Sequence, residues 1–360
     1  MDLDDLPRFR QLDPQDMLGH IDGLPDQLGS AWDLSQTQPL EFADGLKPSA
    51  NDIHQVVICG MGGSAIGADL VSAAVMDTCP VPIFVHRDYG LPAFAKGPET
   101  LVICSSHSGN TEETLDSFEA AVKSGCRVLA VCTGGKLAEV AKAAGVPVWQ
   151  FKHDGQPRAA VGFSFGLILG ALSRLGLVSD ASEDVAGAVQ AMKSQQAVLA
   201  TESPVSQNPA KRLAGQLMGR WVTVFGAGAL APVARRWKGQ INEVAKAAAN
   251  FEFIPEADHN TLAGILNPPE VVPPHVITLF LRAPSDHPRN RLRLDMTRKT
   301  YMLEGLSVDG YTAKGDTPLA HIWTMLHFGD YVAYYLAMAY GVDPTPVDAL
   351  VSLKTALKDQ

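Results

Sequence analysis

Two short stretches carry residues whose types and spacing could do chemistry. The first, Gly60-Met61-Gly62-Gly63-Ser64-Ala65, follows the apolar run VVIC and precedes the helix-like ADLVSAAVM. Glycines in such a turn let a ligand approach the backbone, and a helix start offers unpaired N–H groups at the positive end of a dipole, so the turn can hold a phosphate. The same residues satisfy the GxGxxA pattern of a dinucleotide turn. The acid that pattern needs at the end of the next strand is present in His86-Arg87-Asp88, but displaced. Glycines serving a tight turn alone would read the same way. The second stretch, SSHSGNTEETL, places Ser105, Ser106, Ser108 and Thr111 in one loop entering a helix, with Glu112 and Glu113 in its first turn. Capping accounts for one or two hydroxyls and not four. Four of them beside helix N–H groups make a neutral cradle for a phosphomonoester, which nicotinamide binding does not require.

These residues need a scaffold, and the chain supplies one. Its 360 residues predict two domains at about 150 residues each, and 46% hydrophobic with 19% charged residues is the composition of a globular protein with a buried core. A formal charge of −10 argues against nucleic acid and leaves an anionic ligand to local dipoles and single cations. Cys59, Cys79, Cys104, Cys126 and Cys132 are odd in number and lack CxxC spacing, which reads as reduced thiols in a reducing compartment. The acidic N-terminus has no apolar leader core, and the longest nearly apolar run, Ala159 to Leu172, is too short to span a bilayer. A cytoplasmic protein without a membrane partner is the expectation.

From Gln55 onward, short unbroken apolar strands alternate with amphipathic helices, the pattern of a parallel sheet covered on both faces. Two helices follow over 161–200, and the polar TESPVSQNP marks a boundary. A shift of 166 residues then lays VTVFGAG (222–228) on VVICGMG (56–62), so the chain reads as two copies of one α/β unit. Only the first copy continues Gly63-Ser64. The second has Ala229-Leu230, which removes the hydroxyl and one flexible backbone position.

The pairing of GMGGSAIG with the downstream SSHSGNTEET resembles the sugar isomerase (SIS) domain. QPRAAVGFSFG (156–166), KGQINEVAKAAANFEFIPEADHNTLAGI (238–265) and DPTPVDALVSLKTALKD (343–359) narrow the resemblance to the bifunctional phosphoglucose/phosphomannose isomerase family, over about residues 40 to 360. The resemblance implies an α/β fold of two SIS-type three-layer α/β/α domains with parallel, flavodoxin-like sheets and an internal duplication. The expected division is an N-terminal segment 1–45, a phosphate-binding domain 46–200, a second domain 201–340, and a C-terminal helix 341–360 returning to an active site between the domains.

The resemblance also implies a reaction: an aldose phosphate becomes a ketose phosphate by proton transfer between C2 and C1 through a cis-enediol, with no cofactor and no metal. Gly62, Gly63, Ser64, Ser106, Ser108 and Thr111 would hold the 6-phosphate. Glu243 matches the proton-shuttling base, with Lys246 and Arg236 as neighbouring cations. Arg158 matches the arginine that steadies the enediolate, and a ligand anion would explain a cation placed before an apolar helix, as would an ion pair with Asp154. His259 matches the histidine of ring opening, contributed across the interface of a homodimer. Lys354 matches a lysine near the ring oxygen. Classical relatives carry a glutamine about two helical turns before that lysine; here Thr345-Pro346-Val347 offers no amide, so Thr345 and Val347 would leave room for both configurations at C2. Two departures stand out: Asn242-Glu243-Val244 where the family reads Asn-Glu-Asn, and His107 where the classical phosphate loop has lysine. No metal motif accompanies the ten histidines, and His321 and His327, six apart, fall on different faces of a helix. A non-catalytic sugar-phosphate sensor would keep the serine loop and dispense with Glu243, His259 and Lys354.

Overall fold

The computed structural model describes residues 2–42 and 49–358. The chain forms two compact units, each assembled from separate segments: residues 23–193 with 314–324, and residues 1–22 with 194–313 and 325–360.

In the unit built on 23–193, strands β1 (Gln55–Cys59), β2 (Ile83–His86), β3 (Thr100–Ser106), β4 (Arg127–Cys132) and β5 (Val148–Gln150) form one sheet in the order β2-β1-β3-β4-β5. All neighbours are parallel. The three central strands are buried almost throughout, which is why their sequences are unbroken apolar runs and not alternating ones. Val57, Cys59, Val102, Cys104, Val128 and Cys132 face Phe118, Ala121, Leu137 and Ala141 of helices Glu112–Lys123 and Gly135–Ala143. Helix Gly62–Ala74 covers β1 and β2 and packs on helix Val161–Arg174, which packs in turn on helix Leu24–Thr37. The five cysteines are free thiols; Cys59, Cys104 and Cys132 are sheet core.

In the other unit β6 (Trp221–Ala227), β7 (Ala249–Ile254), β8 (Val276–Arg282) and β9 (Ser307–Thr312) form a parallel sheet in the order β7-β6-β8-β9. This repeats the order β2-β1-β3-β4 of the first sheet, and the repeat extends to the backbone: Gly62 and Gly228, 166 residues apart, sit at φ +50° and +49°. Only glycine holds that left-handed conformation without strain. The copy is incomplete, because among the described residues no strand corresponds to β5; the chain after β9 enters helix Pro318–Tyr340 instead.

The segments differ from the division expected at residues 45, 200 and 340. Residues 1–22 and 23–42 belong to different units, and helix Pro318–Tyr340 contributes 318–324 to one and the rest to the other. The physical reason is where apolar faces find cover. Phe9 packs its ring on Tyr334 and Tyr335, whereas Trp323 is edge-on to Phe165 with centroids 5.1 Å apart.

Candidate active site

Residues Gly60–Ala65 form the turn from β1 into helix Gly62–Ala74. A Cβ on Gly63 would lie 2.4 Å from the carbonyl oxygen of Pro157, so glycine is what allows the Pro157–Ala159 turn to seat on the helix start. That turn carries Arg158, a residue 4% exposed at the entry to the apolar helix Val161–Arg174. A buried guanidinium at the positive end of a helix is unfavourable on dipole grounds, so its place is set by the turn and not by the helix.

The serine loop leaves β3 beside this turn. Ser64 and Ser106 are buried. The Ser64 hydroxyl accepts the His107 amide at 3.2 Å, and the Ser106 hydroxyl donates to Thr111 Oγ1 at 2.9 Å. The glycine turn, Ser64, Ser106, Thr111 and the Arg158 turn are therefore one assembly at the C-terminal edge of β1 and β3, the crevice where doubly wound sheets bind ligands. Ser108 differs in kind: it is exposed, and its hydroxyl accepts the Asn110 amide at 3.2 Å, a local turn contact. The His107 carbonyl accepts both the amide (2.9 Å) and the hydroxyl (2.7 Å) of Thr133, fixing the loop to the end of β4.

The His107 side chain turns inward. Its Nε2 lies 3.0 Å from Nδ1 of His153, and burial holds its pKa below the ordinary imidazole value. The Gly155 amide also donates to His153 Nδ1, at 3.3 Å, so that nitrogen is an acceptor and the bridging proton belongs to His107 Nε2. Phe151 meets the His107 ring edge-on and stacks on Phe163 at 4.8 Å. Sequence reasoning found His107 as a substitution and missed His153, which lies 46 residues away.

Glu243 is the last residue of helix Ala231–Glu243 in the other unit, and is half-buried. That helix is held by its buried face. Trp237 donates Nε1 to the Met325 carbonyl at 2.9 Å, and Arg236 bonds both carboxylate oxygens of Asp330, at 3.2 and 2.6 Å, in a site almost closed to water. Of the two cations adjacent in sequence, Arg236 pairs with Asp330, and Lys246 donates to the carbonyls of Glu243 (2.6 Å), Val244 and Pro344. Lys246 adopts φ +55° to close this cap, a role no periodicity signals. Val244 is fully buried, and Asn242 bonds the Ala247 carbonyl at 2.8 Å.

His259 ends the short 3-10 turn Glu256–His259 after β7 and is exposed. Asp258 anchors the turn, accepting from Arg293 at 2.9 Å and Thr297 at 2.7 Å; a carboxylate adjoining the candidate histidine was the available signal for it. Lys354 is exposed on helix Asp348–Lys358. Thr345 and Val347 precede that helix, and the Val347 carbonyl accepts its first bond, from the Val351 amide at 3.1 Å. Thr345 is buried, its amide bonded to Asp343 at 2.8 Å. Among the described residues no group of three His, Cys, Asp or Glu side chains is gathered to hold a metal, and no helix is long and apolar enough to cross a membrane.

The model of the bacterial phospho-glucose isomerase C-terminal SIS domain matches residues 206–357. A bifunctional phosphoglucose/phosphomannose isomerase of Caldicellulosiruptor bescii is 36% identical over 350 residues, covering 95% of this chain and 99% of its own. One of Aquifex aeolicus is 36% identical over 306 residues, covering 84% and 90%. In fold, the chain is similar to tagatose-6-phosphate ketose/aldose isomerase from Escherichia coli, with a TM-score of 0.67, 14% identity, and coverage of 92% and 95%. With its two parallel sheets, its duplicated glycine turn and these relatives, the chain belongs to the bifunctional phosphoglucose/phosphomannose isomerase family.

Proposed function

We propose that this isomerase interconverts glucose 6-phosphate and mannose 6-phosphate with fructose 6-phosphate by moving a proton between C2 and C1 through a cis-enediol. The observation that carries the reading is the Arg158 turn seated by its backbone on Gly63, beside the buried Ser64 and Ser106. A cradle of hydroxyls and amides binds the 6-phosphate without adding a fixed charge, and Arg158 offsets the negative charge that develops on the enediolate.

In this reading Gly62, Gly63, Ser64, Ser106, Ser108 and Thr111 bind the phosphate, Glu243 takes the proton from one carbon and returns it to the other, and His259 and Lys354 exchange protons with the ring oxygen and hydroxyl during opening. The exposure of His259 suits a residue contributed to the site of a partner copy in a cytoplasmic homodimer. Thr345 and Val347, without a side-chain amide, leave the C2 hydroxyl unselected. No metal or cofactor enters any step.

The test is a coupled assay of fructose 6-phosphate formation from each aldose phosphate with a chelator present. Comparable turnover of both is expected. Turnover of glucose 6-phosphate alone would remove the argument from Thr345 and Val347. Binding without turnover would replace the isomerase by a non-catalytic sugar-phosphate sensor. Glu243→Gln should lower turnover by about two orders of magnitude or more and leave the affinity for inorganic phosphate near its original value, as loss of a general base does.

A further inference from the structure

The His107–His153 bond joins two segments that the sheet does not pair. His107 belongs to the serine loop, where its main chain already bonds Ser64 and Thr133. His153 belongs to the stretch that runs from β5 into the Arg158 turn, and its Nδ1 also receives the Gly155 amide three residues before Arg158. On its other side the Arg158 turn rests on Gly63. The turn is thus gripped at two places, a close backbone approach and a ring-to-ring hydrogen bond. The bond sits among Phe151 and Phe163, where little water competes for it. Packing alone would be served by any flat ring at either position; a donor facing an acceptor is not needed for it.

We infer that His107 and His153 act as one positioning unit, holding the Arg158 turn in register with the phosphate loop so that the guanidinium meets the enediolate when the phosphate is seated. Neither imidazole is a catalytic residue; both act through Arg158. The inference rests on the isomerase reading for the role of Arg158, and its test is arranged to separate the two.

The probes are inorganic phosphate, which reads the cradle alone, and 5-phosphoarabinonate, whose carboxylate imitates the enediolate and reads Arg158 as well. His153→Phe keeps a ring beside Phe163 and removes the acceptor; His153→Asn keeps an acceptor near the position of Nδ1. Calorimetric titration of His153→Phe should show about tenfold weaker binding of the phospho-aldonate, with phosphate affinity changed by less than about twofold, because a displaced polar group loses its interaction within about an ångström. His153→Asn should bind both nearly as the wild type does, and in an Arg158→Ala background His153→Phe should add no further loss. Equal loss for both probes, or an additive loss in the Arg158→Ala background, would overturn the inference, since a purely structural ring would give either. A wild-type protein that binds the phospho-aldonate through Arg158 with these same effects, yet turns over neither hexose phosphate, would refute the isomerase reading and leave the positioning role supported.

Discussion

Ser106 shows how much one hydroxyl can do in this cradle. It is 2% exposed and donates to Thr111 Oγ1, so its proton orients the Thr111 hydroxyl at the helix entry and leaves that hydroxyl's own proton to be donated to a phosphate oxygen. Ser106→Ala should weaken fructose 6-phosphate binding about tenfold, by loss of one hydrogen bond in a buried site, with turnover at saturation changed far less; titration and saturation kinetics would separate the two. His327 makes a different demand. Its Nε2 donates to the Ile21 carbonyl at 2.8 Å, and complete burial pushes its pKa down to about 4. The unfolded imidazole titrates near 6.5, so the folded state binds fewer protons between these values. Stability is therefore full above about pH 6.5 and falls as pH drops toward 4, by up to about 3 kcal/mol from this residue. His327→Gln keeps a donor for Ile21 and removes the titration, so its melting temperature should fall less than that of the wild type on acidification. Parallel falls would assign the acid sensitivity to other groups.

Elements explain why some of this was readable in advance and some not. Strands β1, β3 and β4 are uninterrupted apolar runs because both faces are covered, and the glycine turn recurs after 166 residues with the same left-handed backbone; both are local signals. Arg158 was legible as a cation with no packing reason to precede an apolar helix. The seat beneath it was not, because Gly63 and Pro157 meet only through tertiary contact. For the same reason the His107–His153 bond and the Lys246 cap escaped the sequence, and the start of the last helix at Asp348, directly after Val347, was not marked by any pattern of its own. At this scale Gly63→Ala is the sharp test. The added Cβ would force the Pro157 carbonyl away, costing about 1–3 kcal/mol of stability by overpacking. Because the displaced turn carries Arg158, turnover should fall more than phosphate affinity. Thermal denaturation with kinetics of the purified variant checks both; a stable, fully active Gly63→Ala would show that the seat does not set Arg158.

The whole molecule is organised by segments that skip along the chain. The unit bearing the cradle needs residues 314–324, whose Trp323 covers Phe165 and whose Thr324 is bonded to Lys314 at both amide and carbonyl. A fragment of residues 23–193 should therefore expose that apolar surface, melt without a cooperative transition and aggregate, while the same fragment carrying 314–324 on a flexible linker should melt cooperatively. Cooperative melting of 23–193 alone would overturn this. The same interleaving has a consequence for synthesis on the ribosome. Residues 1–22 emerge ahead of residues 23–193 but belong with residues beyond 193, and the cradle unit lacks its last piece until residue 324 has emerged. Neither unit can complete its core in the order the chain is made. Domain-by-domain folding during translation, the usual course for a chain of this length, gives way here to a late closure in which both units finish nearly together.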